Sequence, residues 1–221
     1  DDVGQDTESG TSSTTEAASA SATAAETETE TGGQSCFAER HAIVTDIDET
    51  LTTADSEFVM QLLDTTYDPL ERAGASGLIG DYHARGYTVI YLTARAESQA
   101  SVDAAMLPAR DLTEAWLIDH AFPMDDNTRL ILAPGLVVGD AAAAYKAQAL
   151  QDLEDEGFTF EYAYGNAASD AAGYATAGIA KDVTFIIGPE AGVDGTVAVD
   201  GEDWVAHRAA QIPTVADYCG G

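Results

Sequence analysis

Four times along this chain a short apolar run, rich in β-branched and aromatic residues, gives way to a segment with helical patterning. The runs are HAIVTDI (41–47), YTVIYLTAR (87–95), FTFEYAYG (158–165) and VTFIIG (183–188). Runs of this length that end in polar residues or glycine read as buried strands. Between them, SEFVMQLLD, DPLERAGASGLIGDYHARG, AESQASVDAAML, DLTEAWLIDHAF, DAAAAYKAQALQDLEDEG and ASDAAGYATAGI read as helices. Asp140 is the expected N-cap of the long helix, and Gly86, Gly157 and Gly178 are expected stops. TRLILAPGLVV reads as one or two short strands or an extended loop, and GEDWVAHRAAQ as a last helix. Strands alternating with helices mean βα units, a mostly parallel sheet and an α/β, Rossmann-like architecture. In such sheets ligands bind beyond the carboxyl ends of the strands.

The polar residues fall at those ends. Asp46 and Asp48 follow the first strand, Thr93 and Arg95 close the second, and Asn166 and Asp170 follow the third. Asp46-Ile47-Asp48-Glu49-Thr50 packs three mutually repelling acids into four residues. That makes sense where a positive charge sits or where the carboxylates do chemistry. At a strand end residues i and i+2 point the same way, so Asp46 and Asp48 can face one group.

The D-x-D-x-T loop after a buried strand resembles the first motif of the haloacid dehalogenase (HAD) superfamily. The resemblance implies that Asp46 is a nucleophile forming an aspartyl-phosphate, and that Asp48 protonates the leaving oxygen and then activates water. It implies Mg²⁺, held by Asp46, the main-chain carbonyl of Asp48, Asn166 and Asp170, with Thr50 helping to hold the loop. Thr93 stands where the second motif has a phosphate-binding hydroxyl, and Arg95 either contacts the phosphate or lipid head group or pairs with one of the many acids. Lys146, one of only two lysines in the chain, lies in the helix before the third strand, where the third motif places the lysine that neutralises nucleophile and phosphate. YGNAASDAAGY matches the fourth motif, with Asn166 in place of its first aspartate. That asparagine, Arg95 and Tyr174 are normal for one branch, the lipin-type phosphatidate phosphatase domain, also seen in membrane-associated phosphatidylinositol transfer proteins. Glu49 departs from that branch, which has glycine there. The resemblance implies a phosphomonoester as substrate, with phosphatidate or another phospholipid as the candidate. The retained acid pair argues for an enzyme. Two alternatives stay open: a module that binds phosphatidate or phosphate without turnover, and a secreted acid phosphatase of broad specificity. No extra domain is evident between the strands, so little or no cap is expected, leaving a site open to large substrates.

Residues 1–34 contain Val3 as their only large apolar residue. Such a segment cannot bury enough surface to offset its ordering entropy, so a disordered acidic tether is expected there, with the folded domain over 35–221. Eight of the 39 acids and none of the nine bases lie in that tether, which leaves a body of net charge −22 out of −30. Such a body repels nucleic acid and anionic membrane surfaces, which also stands against a bilayer substrate. The two cysteines, Cys36 and Cys219, bracket the folded part in polar, glycine-rich flanks. In an exported protein that placement favours a disulfide over two separate buried thiols. No stretch reaches the ~20 apolar residues of a membrane span. A monomer is expected, exported to the periplasm or beyond and anchored, if at all, through a lipid on a residue before Asp1. His41, His83, His120 and His207 share no ligand spacing, and Trp116 and Trp204 read as packing residues.

Overall fold

The structure is a computed structural model; it describes residues 36–220, so the tether expected over 1–34 lies outside the described residues. Its spine is β1 (His41–Thr45). Ile43 enters one hydrophobic core with Tyr91, Trp116, Tyr164 and Trp204, while Ala42 and Val44 enter a second with Ile90, Leu92, Leu150 and Tyr174. Successive side chains point to opposite faces, and here both faces are covered, so the run is apolar throughout rather than alternating.

The other elements are α1 (Ser56–Leu63), α2 (Ala75–Ala84), β2 (Thr88–Ala96), α3 (Ala109–Asp119), β3 (Thr128–Ala133), α4 (Asp140–Asp155), β4 (Thr159–Gly165), α5 (Ala168–Thr176), β5 (Thr184–Ile187), β6 (Val197–Val199) and α6 (Val205–Gln211). The sheet runs β3-β2-β1-β4-β5-β6, and every pairing is parallel. From β1 the chain builds outward through β2 and β3, then crosses over to β4. The topological switch point therefore lies between β1 and β4, where an open α/β sheet splits to take a ligand. Between Thr50 and β2 only α1, α2, turns and a single antiparallel bridge of Thr52 to Glu71 are present, so no cap domain is inserted there among the described residues.

Several expectations need correction. The segment 96–107 is not helical. Asp103 accepts from Thr65 N–H and Ala105 N–H, and Ser101 Oγ accepts from Leu107 N–H. These side chains offer the backbone partners that compete with a helix. The helix expected over 68–86 starts only at Ala75, after Gly74 in a left-handed turn (φ +81°). Asp140 is the first residue of α4 and Gly139 its N-cap. TRLILA forms β3, the strand alternative left open for it, whereas β6 was not expected at all.

The expected Cys36–Cys219 disulfide is present, with Cα atoms 5.0 Å apart and 183 residues of sequence separation. It ties the start of the described chain to its end. The loop-entropy estimate for closing so long a loop is about 5 kcal/mol, an upper figure when native strain is small. Reduction is therefore expected to lower the urea midpoint markedly; an unchanged midpoint would mean that the ends are held by packing alone.

His207 on α6 sits against the rings of Phe185, Tyr164 and Trp204. Burial pushes its pKa down from 6.5 to about 4. The unfolded chain therefore binds this proton first as pH falls, and stability from this group is lost between about pH 6.5 and 4. His207→Phe should flatten the pH dependence of the urea midpoint across that window; an equally steep profile would place the titration elsewhere.

Candidate active site

Beyond Thr45 the chain cannot continue its strand, because Ile47 turns it back. The N–H groups of Thr50, Leu51 and Thr52 all converge on the Ile47 carbonyl. The side chains of Ile47 and Leu51 are fully buried beneath the turn. Asp46 is fixed by its own N–H, which donates to the Tyr164 carbonyl of β4 at 3.0 Å. Its carboxylate thus stands over the switch point, buried to 5% exposure.

Lys146 reaches the same point from α4. Its Nζ donates to Asp46 Oδ1 at 2.6 Å and also to Asp170 Oδ1. Two glycines make this possible. A Cβ on Gly173 would lie 3.0 Å from both the Ala143 carbonyl and the Lys146 Cβ, so glycine lets α5 close onto α4. A Cβ on Gly165 would lie 2.6 Å from the Asp170 Cβ, so glycine lets Asp170 fold back on the strand end. There Asp170 Oδ2 accepts from the N–H groups of Asn166 and Ala167, each at 3.0 Å.

Asn166 lies between these groups. Its Oδ1 accepts from Thr50 Oγ1 at 3.1 Å and its Nδ2 donates to Glu49 Oε2 at 3.1 Å. The Thr50 hydroxyl is also 3.4 Å from Asp46 Oδ2. Asp46, Thr50, Lys146, Asn166 and Asp170, all expected to act together, are therefore brought together.

Asp48, Thr93 and Arg95 form a second group against the same cleft. Arg95 holds both oxygens of Asp48, with Nη2 to Oδ1 at 2.8 Å and Nε to Oδ2 at 3.0 Å. Its Nη1 donates to Thr113 Oγ1 at 2.8 Å, and its guanidinium lies 4.1 Å from the centre of the Phe58 ring. Thr93 Oγ1 donates to Asp48 Oδ2 at 3.3 Å. Thr93, expected to bind phosphate, and Arg95, expected either to contact the phosphate or to pair with an acid, thus both grip Asp48. Thr113 and Phe58 were missed, because a helix threonine and an apolar helix residue carry no sequence signal for this work.

The charges do not balance. Burial raises the pKa of Asp46 above the ordinary carboxylate range; Lys146 opposes this, while Asp170 and Asp48 add to it. Asp55, at the cleft wall, is raised for similar reasons: burial first, then repulsion by Asp48 and Asp170. Burial works against charge on Lys146, yet the attraction of Asp170 and Asp46 outweighs it and leaves its pKa above the usual lysine value. One lysine serves too many acids, which is the electrostatic condition for a bound cation. Among the described residues no three Asp, Glu, His or Cys side chains form a ready-made cage. A cation set here has to be mixed: Asp46 and Asp170 carboxylates, the Asn166 amide oxygen, a main-chain carbonyl and water. That all-oxygen chemistry suits Mg²⁺.

The cleft above these groups holds about 570 Å³. Its lining joins these acids to the buried Phe58 and to an apolar rim of Val59, Leu136 and Val138, all strongly exposed (53%, 80% and 72%).

The chain is similar to several known proteins. The family model for the LNS2 domain of PITM 1–3 matches residues 43–188. Protein retinal degeneration B of Drosophila melanogaster is 28% identical over 173 residues, covering 76% of this chain but only 12% of that protein's length. Among solved structures, the D,D-heptose 1,7-bisphosphate phosphatase of B. bronchiseptica overlaps 78% of this chain and 98% of its own (TM-score 0.49, 16% identity). A phosphoserine phosphatase overlaps 67% of this chain and 86% of its own (TM-score 0.40, 14% identity). The chain belongs to the LNS2-domain family of PITM 1–3.

Proposed function

We propose that this chain is a Mg²⁺-dependent phosphomonoester hydrolase, with phosphatidate or another phospholipid as its substrate class. The observation that carries the reading is the meeting of Asp46, Lys146, Asn166 and Asp170 at the β1/β4 switch point, with an excess of buried acid. In this reading an Asp46 oxygen attacks phosphorus, the ester P–O bond breaks, and the phosphoryl group resides on Asp46. Asp48 gives a proton to the departing alkoxide. It then takes one from water, which attacks the acyl phosphate, releases inorganic phosphate and restores Asp46. Lys146 holds Asp46 Oδ1, which leaves Oδ2 as the attacking atom. Bound Mg²⁺ would neutralise the phosphate oxygens so that the two acids can approach them. Thr93 and Arg95 keep Asp48 aimed at the cleft, and the donors that they release when Asp48 moves are free for phosphate.

The uncapped cleft and its apolar rim support a large, amphipathic substrate. The disulfide supports an oxidising, exported setting; among the described residues no helix is long and apolar enough to cross a membrane. The two-oxygen grip of Arg95 on Asp48 favours one second reading, a phosphatidate- or phosphate-binding module without turnover, since a gripped acid has to be released before it can donate. The deciding measurement is phosphate release from phosphatidate in mixed micelles and from an aryl phosphate, each in Mg²⁺ and in EDTA. Mg²⁺-dependent release from phosphatidate supports the hydrolase. Stoichiometric lipid binding with no release supports the module, and preference for the aryl phosphate supports a broad acid phosphatase.

A further inference from the structure

Glu49 occupies a backbone position that favours glycine: its φ is +56°, in the left-handed region that side chains rarely adopt. The main chain there is held without help from the side chain. Glu49 N–H donates to Thr52 Oγ1 at 3.0 Å, and Arg72 Nη2 donates to the Glu49 carbonyl at 2.8 Å. The carboxylate instead reaches the end of β4 and accepts from Asn166 Nδ2 at 3.1 Å.

We propose that Glu49 is a positioning residue that decides which way round the Asn166 amide sits, and so turns its carbonyl oxygen toward the cation site. This rests on the magnesium reading above. An asparagine side chain fills nearly the same space in either orientation, so its hydrogen-bond partners choose between them. Thr50 cannot choose, because a hydroxyl donates or accepts equally well. Glu49 can, because a carboxylate only accepts and therefore demands the NH₂ on its own side. Oδ1 is then left on Thr50, whose hydroxyl lies 3.1 Å from it and 3.4 Å from Asp46 Oδ2. On that side an oxygen can ligate a cation, whereas an NH₂ would repel one. An aspartate at position 166 would present oxygen either way round and need no such sorting.

The test is a double-mutant cycle read by calorimetric Mg²⁺ binding to the wild type, Glu49→Gly, Asn166→Asp and the double variant, without substrate. Glu49→Gly should weaken Mg²⁺ binding about tenfold or more, the usual size of a lost supporting contact. In the Asn166→Asp background the same change should cost nothing, or tighten binding by removing a neighbouring like charge. Glu49→Ala, which keeps a Cβ, should repeat the cycle, and the thermal midpoint of Glu49→Gly in EDTA should be no lower than wild type. Equal losses in both backgrounds would mean that Glu49 acts only through its charge and would overturn the inference. Wild-type binding that Glu49→Gly leaves unchanged would also overturn it, with the hydrolase reading intact. A wild type that takes up no Mg²⁺ would overturn both.

Discussion

Asp46→Asn should abolish phosphate release while making the metal-free protein more stable. Asparagine cannot attack phosphorus, and losing a nucleophile removes roughly 10³-fold or more of the rate. The gain in stability follows from linkage. Burial raises the folded-state pKa of Asp46 above its unfolded 3.8. As pH rises past 3.8 the unfolded chain gives up this proton first, so the carboxyl weakens the fold increasingly toward neutral pH. Asparagine keeps the shape and leaves Lys146 its partner Asp170. In EDTA at pH 7 to 8 the variant should melt above the wild type, and below pH 3.8 the two should converge. The wild type alone should then regain the difference on adding Mg²⁺. Phosphate release that survives the substitution would remove Asp46 from the chemistry. A variant that melts lower at neutral pH would mean that the ion pair with Lys146 outweighs the cost of burying the acid.

What could be read in advance follows from range of interaction. β1 was legible because both of its faces are covered and its run is uniformly apolar; Asp46, Asn166 and Asp170 were legible from their places at strand ends, and Lys146 from the resemblance to the family's third motif. Their convergence is the work of the β1/β4 crossover and of Gly165 and Gly173. β6 escaped notice because Val197–Val199 is too short to show a period. The stretch 96–107 looked helical because its alanines and methionine favour helix, but Asp103 and Ser101 captured its backbone, partly through Thr65 of a distant loop. That Arg95 pairs with an acid was one of two open readings, but that the acid is Asp48 was invisible. A strand-end arginine in an acidic chain has many partners to choose from, and only the bend of the β1 loop brings Asp48 within reach. Local pattern thus gave most of the main strands and helices and the polar strand ends. Which acid meets which base was set by contacts 24 to 100 residues apart, as with Lys146 to Asp170 and to Asp46.

Lys146→Met should be the most destabilising single change in the site, and its cost should depend on pH and on metal. Lys146 is 3% exposed and lies between two carboxylates that are themselves buried. Methionine fills a similar volume but leaves Asp46 and Asp170 facing each other with no intervening cation. Removing one partner of a buried ion pair typically costs about 3–5 kcal/mol. Asp46, whose pKa burial already raises, can reduce that cost by holding its proton, so the loss should be small near pH 4 and grow as pH rises, because the unfolded chain ionises freely while the fold resists. Two rescues follow. Asp170→Asn on top of Lys146→Met removes one of the opposed charges and should recover most of the loss at pH 8. Mg²⁺ should recover part of it in the single variant by supplying the missing positive charge, while activity stays low because Asp46 is no longer held in place. Urea midpoints at pH 5 and 8, in EDTA and in Mg²⁺, separate these terms. A loss equal at both pH values and indifferent to Asp170→Asn would make Lys146 a packing residue, and would leave Asp46 without the cation that the proposed mechanism requires.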